Sequence, residues 1–314
     1  MYAHIIRRLL YMVIVLFIMS AVIFFLMSMV TEDPVVMMLG QAADPETVQK
    51  LHEQLGLDRP LIVQYLDWLQ HVVRGDFGES YTMPMNTIDL ILQRLPLTIE
   101  LTFLAILLAL IIAIPLGVFS ALRFNSKSDI AIQITATAGI SMPNFWIGIL
   151  LIFLVALKLK WLPASGWVPF FEDPLENLKL MILPVLTLSA WYTSVYVLFT
   201  RSTFIEALRS DYIMVARSKG ILERRVLWLH AFKNTLIPLV TMVGVNVSGL
   251  FGGAVVTETI FALPGLGRLL VDSMLSRDMP LMMGTILFIT AIVVVCNLLV
   301  DLIYVIIDPR IRFN

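Results

Sequence analysis

EALRSDYIMVARSKGILERRVLWLHAFKNTLIPLV, residues 206–240, is a charged segment between two apolar runs, and its reading decides the fold. Arg209, Arg217, Lys219, Arg224, Arg225 and Lys233 lie within it and Arg201 just ahead, so seven of the 22 Lys and Arg residues crowd here. A basic, helical insert between apolar runs belongs at a membrane surface. Asp211 is a good N-cap residue, residues 212–219 carry no helix breaker, and Gly220 stands where a helix end wants positive φ. The spacing predicts a short helix stopping at Gly220, with Tyr212, Val215, Ala216 and Lys219 on one face and the small Ala216 admitting a close neighbour. A second helix is expected from near Glu223 up to Pro238, ahead of the next apolar run.

Composition agrees with that setting. The chain is 314 residues long, 59% hydrophobic and 14% charged, with mean hydropathy +0.90. Soluble domains are usually about 45–50% apolar, so this is an integral membrane protein. A net charge of −1 carries no sign of nucleic-acid binding. The single cysteine, Cys296, lies in an apolar run, excludes an internal disulfide and reads as a small core residue.

Residues 9–30 are uncharged and follow Arg7 and Arg8. At 1.5 Å per residue they span about 33 Å, enough for a bilayer core. TEDPVV follows instead of a small-residue cleavage site, so the run reads as a retained first span with its N-terminus inside. Further runs at 97–122, 130–157, 178–199, 236–256 and 281–307 bring the expected spans to six. The third is expected to break at SMPNFW, because Pro143 cannot donate its amide and disfavours helix at Met142. Residues 31–95 are the long polar segment, with ten acidic residues against four basic. Helical stretches are expected at 45–55 and 61–73, bounded by turn signals at 58–60 and 75–78. Lys and Arg number thirteen at the two termini and the loops on their side, against five in the two short loops opposite, which puts both termini and the 201–235 loop in the cytoplasm. The loop at 257–280 is too apolar to hang free, and residues 269–275 read as a re-entrant or interfacial helix.

Few groups suggest chemistry. There is no GxxxxGK[ST] phosphate loop, no HExxH, no CxxC and no glycine-flanked serine, and the four histidines are scattered. Seventeen methionines, including Met279, Met282 and Met283, read as flexible apolar filler, so no metal site is expected. Asp301 and Asn297, one turn apart in the sixth run, are candidates for the pathway or an interface, as are Asn144 and Asn246. A helix-packing contact near the cytoplasmic end is the favoured reading of Asn297 and Asp301, and Glu100 reads as a carboxylate reaching the interface.

DYIMVARSKG at 211–220 followed by HAFKNTLIP at 230–238 resembles the cytoplasmic coupling loop of ABC-importer permeases, in the form found in the peptide/nickel branch. Met214 and Val215 stand where the general loop has Glu and Ala, and 220–238 is longer than in sugar permeases. LGLDRPLIVQYLDWL at 55–69, GDFGESY at 75–81 and the loop at 257–280, with Met279 where an aromatic is common, resemble the same family.

The resemblance implies an all-α polytopic membrane protein of six transmembrane helices with a type I importer permease (MetI-like) core. Residues 1–95 would be the first span plus an extracytoplasmic segment, 96–307 the permease domain with coupling loop 201–235, and 308–314 a cytoplasmic tail. It implies a non-catalytic subunit, without a cofactor of its own, in the inner membrane of a prokaryote. The implied partners are a second homologous permease, two ATP-binding subunits, an extracytoplasmic binding protein and membrane lipid, with no nucleic acid. Tyr212 and Ala216 would provide fit to the ATPase, Arg217 and Lys219 charge contacts, and Asp211 and Gly220 the helix ends. Di- or oligopeptides are the expected substrate, and nickel or other metal chelates, glutathione and opine-like compounds are alternatives within the family. A rival of another class is an ion-coupled carrier or polytopic membrane enzyme, for which Asp301 is the one clear buried titratable candidate.

Overall fold

The computed structural model describes residues 2–30, 35 and 44–307, and among them the regular elements are all helices. They are α1 (Tyr2–Val30), α2 (Pro45–Leu55), α3 (Leu61–Val73), α4 (Thr87–Leu122), α5 (Lys127–Ser141), α6 (Asn144–Lys158), α7 (Pro174–Leu208), α8 (Asp211–Ser218), α9 (Glu223–Ile260), α10 (Leu266–Leu275) and α11 (Met279–Ile307). Among the described residues, α1, α4, α7, α9 and α11 are long and apolar enough to cross a membrane, and α5 with α6 form a sixth candidate bent by 101°. That bend lies at the expected break: Met142 is extended (φ −84°, ψ 128°), as a residue before proline prefers, and Pro143 opens α6.

Packing divides the chain into two compact units, residues 1–96 with 265–298, and residues 97–264 with the end of the chain from 299. In the second unit α7 is the axis. Leu97, Leu101, Ala105, Ala109 and Ala113 recur every four residues along α4 and are fully buried, while Ile99, Phe103 and Ile111 on its other side are exposed. A stripe narrowed by alanines lets helices approach where lipid, as apolar as leucine, provides no hydrophobic drive between them. Gly117 shows how close the approach is: a Cβ there would come within 2.7 Å of Thr200 Cβ and 2.9 Å of the Val197 carbonyl on α7.

In the first unit, Ile23 and Phe24 of α1 pack with Tyr65 of α3 and with Met283 and Leu287 of α11, and Ser20 Oγ lies 3.0 Å from the Tyr65 hydroxyl. Asp278 is fully buried just ahead of α11, where it accepts from Ser80 Oγ (2.5 Å), Thr82 N (3.1 Å), Thr82 Oγ1 (2.9 Å) and Leu281 N (3.2 Å). One carboxylate therefore caps α11 and anchors the 80–82 turn, joining two stretches about 198 residues apart. The expected helices at 45–55 and 61–73 form, the first stopped by Gly56 at φ 68°.

Three expectations need correction. Pro238 does not end a helix; it lies inside α9, which runs unbroken into the next span. Proline costs one backbone bond there, and in membrane helices side chains and local readjustment satisfy the freed carbonyl. Ser210, not Asp211, holds the N-cap position of the helix before Gly220, with its hydroxyl donating back to the Ala207 carbonyl, and Asp211 is the first helical residue. Cys296 is half-buried instead of a core residue. Residues 31–34, 36–43 and 308–314 lie outside the described residues, and so does the side chain of Asp301.

Candidate functional site

α8 is positioned from inside by two residues. Ile213 and Ala216, three apart, are buried with Val118 and Ala121 of α4, Phe204 of α7, and Val226 and Ala231 of α9. The sequence places Ala216 on one face with Tyr212, Val215 and Lys219, but its spacing from Ile213 turns it onto the chain's own core. Its small size admits the chain itself. Asp211, Tyr212, Met214, Val215, Arg217 and Lys219 remain exposed, so α8 shows solvent a mixed apolar and basic surface. Asp211 in the first turn places a carboxylate at the positive end of the helix dipole.

The helix stop is a six-residue hydrogen-bonded loop: Ile221 N donates to the Ala216 carbonyl (3.3 Å) and Gly220 N to that of Arg217 (2.9 Å). It needs Gly220 at φ 74°, a left-handed conformation. Arg217 spans the turn to Glu223 with two hydrogen bonds, Nη2 to Oε1 at 2.6 Å and Nε to Oε2 at 3.1 Å, and that contact raises its already high pKa. Arg217, expected to face a partner, is thus shared with the chain's own turn. Both groups are exposed, so the pair adds geometry more than stability. α9 opens with a π-helical stretch, Val226–Ala231, that leaves Trp228 and Leu229 half-exposed. A groove of about 610 Å³, lined by Ser202, Ile205, Glu206, Arg209, Ser210 and Asp211, opens beside the N-terminus of α8.

Behind this surface is an ion pair that the sequence reading missed. Asp129, fully buried, accepts from Arg201 Nε (2.7 Å) and Nη2 (2.8 Å), from Ser120 Oγ (2.5 Å) and from Asn125 N (2.9 Å). The Arg201 and Arg209 guanidinium carbons stand 5.4 and 5.3 Å from the Phe124 ring. One carboxylate so joins the end of α4, the start of α5 and the last turns of α7, next to α8. The local signal was present: Ser126 three residues before Asp129 is a helix-start pattern, and Ser126 Oγ accepts from Asp129 N at 3.2 Å. Its partner, 72 residues away, was not legible.

The polar pathway candidates separate. Asn144 lies at the α5–α6 break with its Oδ1 buried and without a hydrogen-bond partner among the described residues. Asn246 on α9 approaches the buried hydroxyl of Tyr196. Asn297 is exposed on α11. Glu100 accepts from Trp167 Nε1 (3.1 Å). Glu258, buried near the end of α9, accepts from Thr98 Oγ1 (2.6 Å). No group of His, Cys, Asp or Glu among the described residues is arranged to hold a metal ion.

The chain matches two families along its length: residues 113–313 match the binding-protein-dependent transport system inner membrane component, and residues 1–102 the N-terminal part of such a membrane component. The chain belongs to this family. It is a permease of the ABC-importer class, a multi-pass membrane protein. Similar proteins cover it end to end. A protein of Brucella abortus described as a peptide transport system permease is 40% identical over 314 residues, all of both chains. An oligopeptide transport system permease of Bacillus subtilis is 38% identical, again over all of both chains. A glutathione transport system permease of Escherichia coli is 37% identical over 99% of each.

Proposed function

We propose that this permease pairs with a second, homologous permease to form the inner-membrane pathway for di- and oligopeptides handed over by an extracytoplasmic binding protein. Two ATP-binding subunits dock on the 201–235 loop, and both termini lie in the cytoplasm, the side richer in Lys and Arg. The observation that carries the reading is α8 itself, with Tyr212, Val215 and Lys219 outward, Ile213 and Ala216 locked inward, and a hard stop at Gly220. ATP-driven closure of the ATPases moves α8, and through Phe204 and Arg201 that movement reaches α7, α4 and α5. Peptide is preferred as substrate because most of the similar proteins named here are described as peptide permeases, and the glutathione relative keeps to amide-containing molecules.

Gly220 tests the coupling role. A Cβ added there meets nothing within 4 Å, so the cost of substitution is backbone conformation alone. Asn, which tolerates this region, is mildest, then Ala, and Val carries the full penalty of about 1–2 kcal/mol. Recovery of the ATPase subunits with the purified permease, and peptide-stimulated ATP hydrolysis, are expected to fall in the order Gly, Asn, Ala, Val, with the same amount of permease in the membrane. Wild-type recovery and stimulation in Gly220→Val would reduce the loop to a basic inner-surface turn.

A further inference from the structure

At the α5–α6 break a cavity of about 440 Å³ opens, lined among others by Ser141, Met142, Asn144, Trp191, Tyr192 and Gly253. Its size is in the range of small-ligand sites, about 300–1,000 Å³. α5 is 15 residues long, so the break lies about 22 Å along the span from the Ser126 end, deep in the bilayer. Ser141, Met142 and Pro143 are nevertheless exposed. Non-helical backbone at that depth does not face lipid; it is covered by protein or lines a wet cavity.

The walls have a defined chemistry. Asn144 lines the cavity, and its Oδ1 is buried without a partner among the described residues, an unpaired acceptor that is costly to leave so and that a small turn of the side chain would offer to an occupant. A primary amide offers a carbonyl acceptor and two N–H donors, enough to match both the donor and the acceptor of a peptide bond. Trp191 and Tyr192 form an edge-to-face pair, with centroids 4.9 Å apart at 83°, and supply an aromatic wall. On the α9 side, Gly249 and Gly253 present backbone only. A Cβ on Gly253 would come within 2.9 Å of Leu188 Cδ1, which would have to shift, and would stand in ordinary contact with Asn144 Nδ2 at 3.8 Å.

We propose that this cavity is a contact site for the transported peptide, in which Asn144 pairs with a substrate peptide bond while Trp191 packs against the neighbouring substrate side chain. The proposal rests on the peptide-permease reading above and adds a specificity-determining pair to it. An acyl chain has nothing to offer the Asn144 amide, which favours a peptide over lipid as the occupant.

The test uses the complete transporter in proteoliposomes, with the binding protein outside and a casein hydrolysate as the probe, and uptake read peptide by peptide by mass spectrometry. Wild type importing none of these peptides would overturn the functional reading itself. With wild type active and the variant complexes recovered intact, Asn144→Leu is expected to lower uptake about tenfold, the loss of one amide pairing. Trp191→Leu is expected to reorder the imported peptides, with those rich in large apolar residues falling relative to those rich in glycine and alanine. Uptake near the wild-type level in Asn144→Leu, or an unchanged order in Trp191→Leu, overturns the site while leaving the functional reading standing. A variant complex that fails to assemble passes the decision to a second measurement. In a Cys296→Ser background, the thiol introduced by Ser141→Cys is expected to react with a methanethiosulfonate several-fold more slowly during peptide turnover. Equal labelling with and without peptide overturns the proposal. So does the absence of labelling in both conditions, which would mean that lipid or the second permease fills the cavity.

Discussion

Arg201→Met is the perturbation whose cost can be worked from contacts on both sides. The Asp129 carboxylate is fully buried, the Arg201 side chain is 15% exposed, and two near-parallel hydrogen bonds of 2.7 and 2.8 Å join them. Removing the guanidinium leaves a carboxylate with only Ser120 Oγ and Asn125 N, and breaking a buried pair from one side costs about 3–5 kcal/mol. Arg201→Lys keeps the charge but not the fork, and loses part of the contact with Phe124, so an intermediate loss is expected. Asp129→Leu with Arg201→Met removes both charges, and the double variant is expected to be more stable than either single. The coupling energy should be about 2–3 kcal/mol, near the upper end for residues in direct contact. The assay is a double-mutant cycle on the unfolding of the purified permease in detergent, read beside the number of ATP molecules hydrolysed per peptide imported. If Arg201→Met costs under about 1 kcal/mol, or the double variant is no better than the worse single, the pair is not a joint in the sense argued. If stability falls but the ATP-to-peptide ratio is unchanged, the pair holds the fold and does not transmit the movement of α8.

Two further predictions follow from other parts of the chain. Asp278→Ala should lower stability by about 1.5–3 kcal/mol, the worth of hydrogen bonds to a charged group, and limited proteolysis between residues 75 and 86 should accelerate; unchanged cleavage would show that the 80–82 turn is held by other contacts. In a Cys296→Ser background, an impermeant maleimide added outside intact cells should label the thiol of Pro60→Cys and leave that of Val215→Cys untouched; the reverse pattern would invert the orientation inferred from the charge count.

Much of this protein was determined by sequence alone, because the features concerned are local. Apolar runs of bilayer length fix the spans, Pro143 fixes the break at Met142, and Gly220 fixes the end of α8, each through the conformational limits of the residue itself. What only the tertiary structure decided is which side of each helix faces inward. In a soluble helix polarity marks the exposed side, but in lipid both sides of α4 are apolar, and the buried stripe from Leu97 to Ala113 is told from the exposed Phe103 and Ile111 by packing. The same limit turned Ala216 inward against the sequence reading, since its neighbours Phe204 and Val226 lie on other helices. It also hid the partners of Asp129 and Asp278, at 72 and about 198 residues' separation. A buried carboxylate in a membrane protein demands a partner, and the chain folds to bring one from far along its length.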